Sequence, residues 1–390
     1  MVLETQKFLR SDKNTLSDLL KDPFNLSVSR SENPDLDGLV GLKYNAPGSD
    51  LSNPICQECR GLILDSGDNW NVVSFPFKKF FNMGNSQDAH DIDWDTATLF
   101  EKMDGSCTIL YHYAGKWHVQ TLGVIDATGN VRPPPITYSK WSGSTFQDLF
   151  WYAWDHCVDV ELSDLNTEIN YIFELCTPYN KRVVDYGEDP QLTLIGARNV
   201  RTLNEYDVRE FEGIFQIPFQ IDASELKSYS EKAIRDMIDV RLNALDEGFV
   251  VCDDDFNRVK VKSEDYVKAH GKGSDIRNRK YGMLEQLLLG NRDDIVTIYP
   301  EYEKAFQELE DKIAQIANHL EKAFRKFGGY DLDAKDPEER KTFALKAKEF
   351  RPGSWVGYLF QRFNDPSTGF VEIIKNDNYR KVGDILAKMD

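Results

Sequence analysis

A lysine in a short turn between two predicted strands is the residue best suited to covalent chemistry in this sequence. It opens the run Lys102-Met103-Asp104-Gly105-Ser106. A neutral lysine amine can attack the α-phosphate of a nucleotide and hold the nucleotidyl group as a phosphoramidate. Gly105 would let the backbone approach the nucleotide, and Asp104 would fix the turn. Taken alone, the tetrapeptide fits a plain hairpin turn better than a nucleophile.

Two further lysines alternate along a predicted strand at 258–262. Lys260 and Lys262 share one face of this strand and lie roughly 6.6 Å apart along it. Phosphate is the natural partner of two such cations, and both would favour the neutral form of a nearby amine. The alternative is a solvated edge strand in which Val259 and Val261 turn inward.

Two carboxylates and several cations also lie in or beside apolar predicted strands. Burying the charges of Glu174 and Glu247 there costs free energy unless a partner compensates it. The partner could be a ribose hydroxyl, a cation, a metal-bound water or the cation of a structural ion pair. Arg60 and Lys79 could grip the β- and γ-phosphates of ATP. Phe81 could stack on a base, although core packing is the more frequent use of a single phenylalanine.

The elements that must position these residues predict an α+β fold built on antiparallel sheet. Strand candidates rich in β-branched and aromatic residues lie at 61–64, 96–101, 107–113, 117–121, 170–176, 192–197, 248–252 and 258–262. The pattern Ser144-Thr145-Phe146-Gln147 predicts a capping box that opens a helix. A second helix is predicted over 222–237.

Beyond about residue 268 the pattern becomes helical. Helices are predicted over 281–289 and 300–327, and Asp336-Pro337 is the expected N-cap and first residue of another. We therefore predict a mixed, catalytic domain over residues 1–270 and an all-helical C-terminal domain over residues 271–390.

Composition limits the classes of function. The chain has 390 residues and a net charge of −18, which excludes a broadly basic nucleic-acid coat but allows a local basic groove. The segments 268–280 and 340–351 are locally basic and could bind along a phosphate backbone. In the second segment, interleaved acidic residues favour the alternative of an ordinary charged helix surface.

Location and metal content are predicted from cysteines and apolar runs. The six scattered cysteines suit a reducing, cytoplasmic compartment. No apolar run is long enough to span a bilayer, and the N-terminal residues lack the apolar core of a signal peptide. Cys56 and Cys59 lack the second pair that a zinc site needs, so small buried residues are the better interpretation.

Seven short motifs in a fixed order resemble the bacteriophage tRNA-repair RNA ligase family, the ATP-dependent single-strand RNA ligases of T-even phages. The resemblance runs nearly end to end, and its strength lies in the order of the motifs. They are Tyr44-Asn45, Cys59-Arg60-Gly61, Lys79-Phe80-Phe81-Asn82, Lys102-Met103-Asp104-Gly105-Ser106, Phe173-Glu174, Asp246-Glu247-Gly248 and Lys260-Val261-Lys262-Ser263.

This resemblance implies an adenylyltransferase (nucleotidyltransferase) domain and an RNA ligase that acts in three steps. Lys102 becomes adenylylated by ATP, AMP passes to a 5′-phosphate of RNA, and a 3′-hydroxyl closes the bond. The implied partners are ATP and single-stranded or nicked-loop RNA, including tRNA. No membrane partner is expected, and the sequence does not reveal the oligomeric state, for which a monomer is the expectation. The implied location is the host cytoplasm if the chain is phage-encoded, and the implied metal is Mg²⁺ or Mn²⁺.

The resemblance also implies a role for each motif residue. Glu247 would anchor the metal mainly through waters, Glu174 would hold the ribose, and Lys260 and Lys262 would grip the α-phosphate. The other residues implied to bind ATP, beside the nucleophile, are Tyr44, Arg60, Lys79, Phe81, Asp104 and Gly105.

One departure from the family pattern is Leu122, which stands where a basic residue is expected. This departure leaves open the alternative that the protein binds RNA ends without catalysing their joining. Lys116 and Arg132 are the candidates to supply the missing positive charge. DNA ligases and capping enzymes share the lysine chemistry. They carry Arg where this chain has Cys107, and they add a small β-barrel where this chain predicts helices.

Overall fold

The computed structural model describes residues 2–45, 48–83, 92–131, 141–243, 246–271, 281–298, 302–350 and 353–387. The chain divides into two compact units. The first comprises Met1–Asp12, Ser29–Lys43 and Pro54–Lys272, and the second comprises Lys13–Val28, Tyr44–Asn53 and Gly273–Asp390. The sequence prediction placed the two short segments 13–28 and 44–53 with the first unit, whereas here they belong to the second.

The strands lie in the first 262 residues, among those that the structure describes. They are β1 (Ser27–Ser29), β2 (Leu39–Lys43), β3 (Arg60–Asp65), β4 (Asn71–Ser74), β5 (Phe81–Asn82), β6 (Thr98–Glu101), β7 (Ser106–Tyr113), β8 (Lys116–Thr121), β9 (Ile169–Cys176), β10 (Gln191–Asn199), β11 (Glu205–Tyr206), β12 (Gln220–Asp222), β13 (Gly248–Cys252) and β14 (Arg258–Lys262). All eight predicted strands are present.

The helices fall in both units. They are α1 (Glu4–Leu9), α2 (Pro54–Glu58), α3 (Phe146–Cys157), α4 (Glu231–Arg241), α5 (Glu264–Gly271), α6 (Gly282–Leu288), α7 (Arg292–Ile298), α8 (Glu303–Lys326), α9 (Pro337–Ala347), α10 (Val356–Asn364), α11 (Phe370–Lys375) and α12 (Tyr379–Leu386). The antiparallel sheets followed by helices confirm the α+β prediction. Within the described part of the chain, no helix is long and apolar enough to cross a membrane.

Two five-stranded sheets frame the first unit. One has the strand order β12-β6-β13-β14-β5 and the other β11-β10-β9-β7-β8. In the first sheet β6, β13 and β14 are antiparallel neighbours, with Val250 opposite both Phe100 and Lys260. The end of β6, the start of β13 and the end of β14 therefore meet at one edge. This edge carries Lys102, Glu247 and Lys262.

The alternation in β14 arises because its two faces meet different surroundings. Val259 and Val261 are each 2% exposed and pack in a cluster with Ile234 and Ile238 of α4. The alternating Arg258, Lys260 and Lys262 are intermediate in exposure and project to the other face. The apolar face fixes the strand against the helix, which leaves the cationic face available to a site.

Two helix starts differ from the sequence prediction. The capping box of α3 is formed by Thr145 and Asp148, whose side chains each accept a hydrogen bond from the other residue's backbone N–H. The predicted box at Ser144 and Gln147 was wrong by one residue. The predicted helix over 222–237 is interrupted: Asp222 caps one 3₁₀ turn, and α4 begins only after its own cap at Ser230.

The second unit has its own apolar core, centred on α8. The side chains of α8 that are buried recur at helical spacing, at Phe306, Ile313, Ile316, Ala317, Leu320, Ala323 and Phe324. Asp336 caps α9 by accepting from the backbone N–H groups of Glu338 and Glu339, and Pro337 is the first helical residue, as predicted.

Candidate active site

A cavity of about 360 Å³ lies in the first unit and is lined by residues from both five-stranded sheets. Phe100, Lys102 and Val250 line it from one sheet, and Glu174 and Ile195 line it from the other, together with the side chains of Arg60, Phe77, Phe80, Cys107, Glu205 and Arg258. Three of the predicted site residues, Arg60, Lys102 and Glu174, therefore face one enclosed space.

Lys102 is held at the end of β6 by its backbone and by its amine. Its N–H donates to the carbonyl of Gly248 at 2.8 Å. Its Nζ lies 2.8 Å from Oε2 of Glu247, and Nζ of Lys262 lies 2.7 Å from Oε1 of the same carboxylate. The structure thus gathers three residues from a span of 160 positions of sequence into one cluster around the buried carboxylate of Glu247.

The two carboxylates of the site have opposite electrostatic environments. Burial acts to raise the pKa of Glu247, but the ammonium groups of Lys102 and Lys262 outweigh it, so this pKa lies below its usual value. Burial raises the pKa of Glu174 to about 7; Lys102 opposes this shift and the charge of Glu247 adds to it. Glu247 is therefore ionised at neutral pH, whereas Glu174 keeps its proton to a higher pH than an ordinary glutamate does.

Gly248 is the residue that allows this close approach. Its φ is +135°, and a Cβ at this position would lie 2.1 Å from the carbonyl oxygen of Val261. Any other residue would push β13 away from β14. The glycine after Glu247 therefore sets the distance between that carboxylate and Lys262.

Asp104 and Gly105 fix the turn after the lysine. Asp104 accepts hydrogen bonds from the N–H groups of Val183 and Val184 and from the hydroxyl of Tyr266. A Cβ at Gly105 would lie 2.4 Å from the carbonyl oxygen of Leu175, so the glycine is required by the passing strand β9. The N–H of Gly105 donates to Oε1 of Glu174 at 3.0 Å.

Two tyrosines complete this turn, and sequence reasoning missed both. The hydroxyl of Tyr186 accepts from the N–H of Asp104 at 2.8 Å, and the hydroxyl of Tyr266 donates to its carboxylate at 2.7 Å. Burial raises the pKa of both tyrosines, so they remain neutral. No local pattern marks them, because each lies about 80 or 160 residues from its partner.

Arg60 and Lys79, the two cations predicted to bind the triphosphate, differ in their position relative to the cavity. Arg60 lines the cavity with its guanidinium 5.4 Å from the ring centroid of Phe80. Its Nη1 is buried and has no hydrogen-bond partner among the described residues. Nζ of Lys79 lies 5.2 Å from the ring centroid of Phe81, and neither of these two is among the described residues that line the cavity. An orphaned buried donor on Arg60 suits an anionic ligand.

Phe81 is a buried strand residue, 4% exposed, in β5 beside Val259. Its neighbour Phe80, with Phe77, lines the cavity instead. Sequence reasoning could not separate the adjacent phenylalanines, because the choice depends on which side of the segment faces the cavity.

The remaining predicted residues lie outside the cavity lining within the described part of the chain. Lys260 is partly exposed on the same face of β14 as Lys262. Tyr44 belongs to the second unit. The side chains of the basic segment 268–280 lie outside the described residues, as does Arg132.

A buried ion-pair network at the cavity wall was also missed. Arg258 Nη2 lies 2.6 Å from Oε2 of Glu205, and Arg198 pairs with the other carboxylate oxygen. Arg258 also stacks over Phe77, with 4.7 Å from guanidinium to ring centroid. The alternation in 258–262 placed Arg258 on the face of the lysines and was the signal that could have found it.

A divalent cation fits this site only if it keeps most of its waters. Among the described residues, no group of three or more His, Cys, Asp or Glu side chains could hold a metal ion. Glu247 is buried and Glu174 is partly buried, and the charge of Glu247 acts to raise the pKa of Glu174. Hard oxygen ligands in small number suit Mg²⁺, which dehydrates reluctantly.

Comparison with known proteins agrees with this arrangement. The antiparallel sheets followed by helices form an α+β fold. A family model of the T4 type, described as RNA ligase, matches residues 58–266, more than half of the chain. The chain belongs to the T4-type RNA ligase family and is an RNA ligase by class.

The similarity to individual relatives is distant. An RNA ligase of Rhodothermus phage RM378 is 28% identical over 357 residues, which cover 76% of this chain and 79% of the relative. An archaeal ATP-dependent RNA ligase structure has a TM-score of 0.45 at 16% identity, covering 93% of this chain and 81% of that chain. A Naegleria gruberi RNA ligase solved with ATP and Mn has a TM-score of 0.33 at 14% identity, covering 45% of this chain and 51% of that one.

Proposed function

We propose that this protein is an ATP-dependent RNA ligase that joins 3′-hydroxyl and 5′-phosphate ends of RNA through a covalent Lys102–AMP. The observation that carries the proposal is the cluster of Lys102, Glu247 and Lys262, in which Lys102 lines the same cavity as Arg60, whose buried Nη1 has no hydrogen-bond partner among the described residues. A nucleophilic amine, an anion site and buried carboxylates in one place suit nucleotidyl transfer.

In the first step the Lys102 amine loses a proton and attacks the α-phosphorus of ATP. A phosphorus–nitrogen bond forms, the bond to the bridging oxygen breaks, and pyrophosphate leaves. Lys260 and Lys262 would stabilise charge on the α-phosphate, and Arg60 and Lys79 would orient the leaving group.

In the second step a 5′-phosphate oxygen of RNA attacks the same phosphorus, which releases the lysine. In the third step a 3′-hydroxyl attacks the activated 5′-phosphate, forming the phosphodiester and releasing AMP. Glu174 would hold the ribose, and Phe81 would support the base pocket. Mg²⁺ or Mn²⁺, when bound, would neutralise charge on the phosphates, held mainly through waters by Glu247.

The two units would have separate roles. The first would perform adenylyl transfer and the second, with its separate helical core, would select the RNA. RNA repair, including resealing of nicked tRNA loops, is the biological role that we propose, in a monomeric cytoplasmic enzyme.

Intact mass measured after incubation with ATP and Mg²⁺, and in parallel with GTP, tests this proposal. We expect a gain of one AMP that is lost when 5′-phosphorylated RNA is added, with a sealed product on a denaturing gel. A GMP adduct would indicate capping chemistry. Absence of any adduct on folded, AMP-free protein would contradict the proposal and favour a protein that only binds RNA ends.

A further inference from the structure

Lys43, which lies in none of the chemical motifs, is placed opposite a cation of the candidate site. Lys43 ends β2 and Arg60 begins β3, and the two are paired across these antiparallel strands. Residues directly opposite each other in such a pair project to the same face of the sheet. Like charges at opposed positions destabilise a strand pair. A cross-strand pair of cations is therefore expected where an anion binds.

The local backbone brings a third segment to this pair. Gly61, directly after Arg60, has φ +89° and coincides with a register shift between β2 and β3. A Cβ at Gly61 would lie 3.1 Å from both Cα and Cδ2 of Leu122. Nε2 of Gln120 donates to the carbonyl of Gly61 at 2.7 Å. The turn after β8 is therefore packed directly on the start of β3.

The side chain of Lys43 extends to this turn. Its Nζ lies 3.6 Å, and its Cδ 3.8 Å, from the point that a Cβ of Gly123 would occupy. The neighbouring Leu122 turns the other way, into an apolar cluster with Phe77 and Cys107. The ammonium of Lys43 thus lies beside the backbone of the turn that contains Leu122. Leu122 itself contributes no charge to this turn.

The other two cations considered for this position are not placed beside Arg60 by the described residues. Lys116 forms an ion pair with Asp35 at 2.5 Å at the opposite end of β8, next to the β7–β8 hairpin turn. Arg132 is among the residues that the structure does not describe. Lys43 is the lysine that the strand pairing places next to Arg60. Arg60 lines the cavity, and its buried Nη1 has no hydrogen-bond partner among the described residues.

We propose that Lys43 acts with Arg60 to bind the β- and γ-phosphates of ATP and the pyrophosphate that leaves. This assignment rests on the proposed function. It supplies from β2 the positive charge that Leu122 lacks. Because the bound group departs after the first step, Lys43 should affect adenylylation of the enzyme and its reversal by pyrophosphate, and leave the final sealing step unchanged.

The test compares Lys43→Met with Lys43→Arg and with the control Lys116→Met, which removes a surface lysine on the same sheet. The Michaelis constant for ATP in lysine adenylylation, and the pyrophosphate concentration that half-reverses it, should rise about ten- to a hundredfold in Lys43→Met. Lys43→Arg and Lys116→Met should stay near wild type. All variants should seal pre-adenylylated RNA at the wild-type rate.

Each outcome separates this inference from the proposed function. If wild-type protein is adenylylated and Lys43→Met keeps both constants, the assignment of Lys43 is overturned while the ligase mechanism stands. The assignment would also be overturned if Lys43→Met lost the sealing of pre-adenylylated RNA as strongly as it lost adenylylation, because the defect would then not be specific to the step that uses ATP. If Lys43→Met proves unfolded by its thermal melt, Lys43→Gln serves as the uncharged variant. A wild type that forms no adduct would instead contradict the proposed function.

Discussion

The Nζ atom of Lys102 lies 2.8 Å from Oε2 of Glu247, a carboxylate that Lys262 also contacts. Glu247 is 4% exposed, so its charge is satisfied by these two ammonium groups rather than by bulk water. An ion pair favours the charged form of an amine, whereas attack on phosphorus needs the neutral form. In the proposed mechanism, the Lys102–Glu247 pair would therefore open, with loss of a proton from Lys102, when nucleotide binds.

Replacing Lys102 should abolish adenylylation by ATP. We expect Lys102→Ala and Lys102→Arg to gain no AMP by intact mass, because neither has an amine that can form the phosphoramidate. Lys102→Arg keeps a cation beside Glu247, so it controls for loss of the ion pair. Sealing of ordinary 5′-phosphorylated RNA by either variant would contradict the mechanism. Sealing of pre-adenylylated RNA needs no nucleophile and should persist in Lys102→Arg.

Replacing Glu247 should impair catalysis far more than folding. Glu247→Gln keeps the size and one acceptor oxygen, so we expect a small change in melting temperature. The rate of adenylylation should fall about a hundredfold or more, because the charge that positions both lysines is lost. Single-turnover kinetics beside thermal melts would separate the two effects. A variant that melts far below wild type would show that the carboxylate mainly holds the fold.

The raised pKa of Glu174 predicts a stability that depends on pH. Between pH 4.5 and about 7 the folded protein retains a proton on Glu174 that the unfolded chain has released. The free energy of unfolding should therefore decrease as the pH rises through this interval, and the decrease should be complete above it. Glu174→Gln cannot ionise and should lack this contribution.

Glu310 provides the control for that measurement. Burial raises its pKa to about 7 as well, and it lies in the second unit. Glu310→Gln should remove a similar pH dependence without affecting adenylylation, whereas Glu174→Gln should affect both. Denaturant unfolding at pH 5 and pH 8 is the measurement. An unchanged slope in Glu174→Gln would show that the carboxyl titrates normally.

Removing Glu205 should destabilise the first unit strongly. Its carboxylate neutralises both Arg198 and Arg258, and all three side chains are largely buried. Glu205→Ala leaves two buried guanidinium groups uncompensated, so we expect a loss of about 3–5 kcal/mol in the free energy of unfolding.

The matched control is Glu225→Ala. Glu225 pairs with Arg241 at 2.9 Å, but both side chains are 47% exposed, and such pairs contribute about 0–1 kcal/mol. Thermal melts of the two variants should differ clearly. Equal melting temperatures would show that the buried network contributes no more to stability than a surface pair.

The sequence by itself determined the strands and the order of the motifs, and it singled out Lys102 as the proposed nucleophile. Period-two alternation placed Lys260 and Lys262 on one face of β14, because side chains of a strand alternate irrespective of what lies nearby. Asp336-Pro337 marked the start of α9, because a cap depends only on adjacent backbone. These features are local, and local chemistry is visible in a sequence.

Only the tertiary structure decided which distant residues meet. It gave Asp104 its tyrosine partners, paired Arg258 with Glu205, put Phe80 rather than Phe81 on the cavity, and placed Lys43 opposite Arg60. It also showed that Gly105 makes room for a carbonyl of β9. Such relationships depend on strand order, register and the packing of one sheet on another, which no single segment encodes. Register in particular is fixed only when each strand buries its apolar face against the rest of the core.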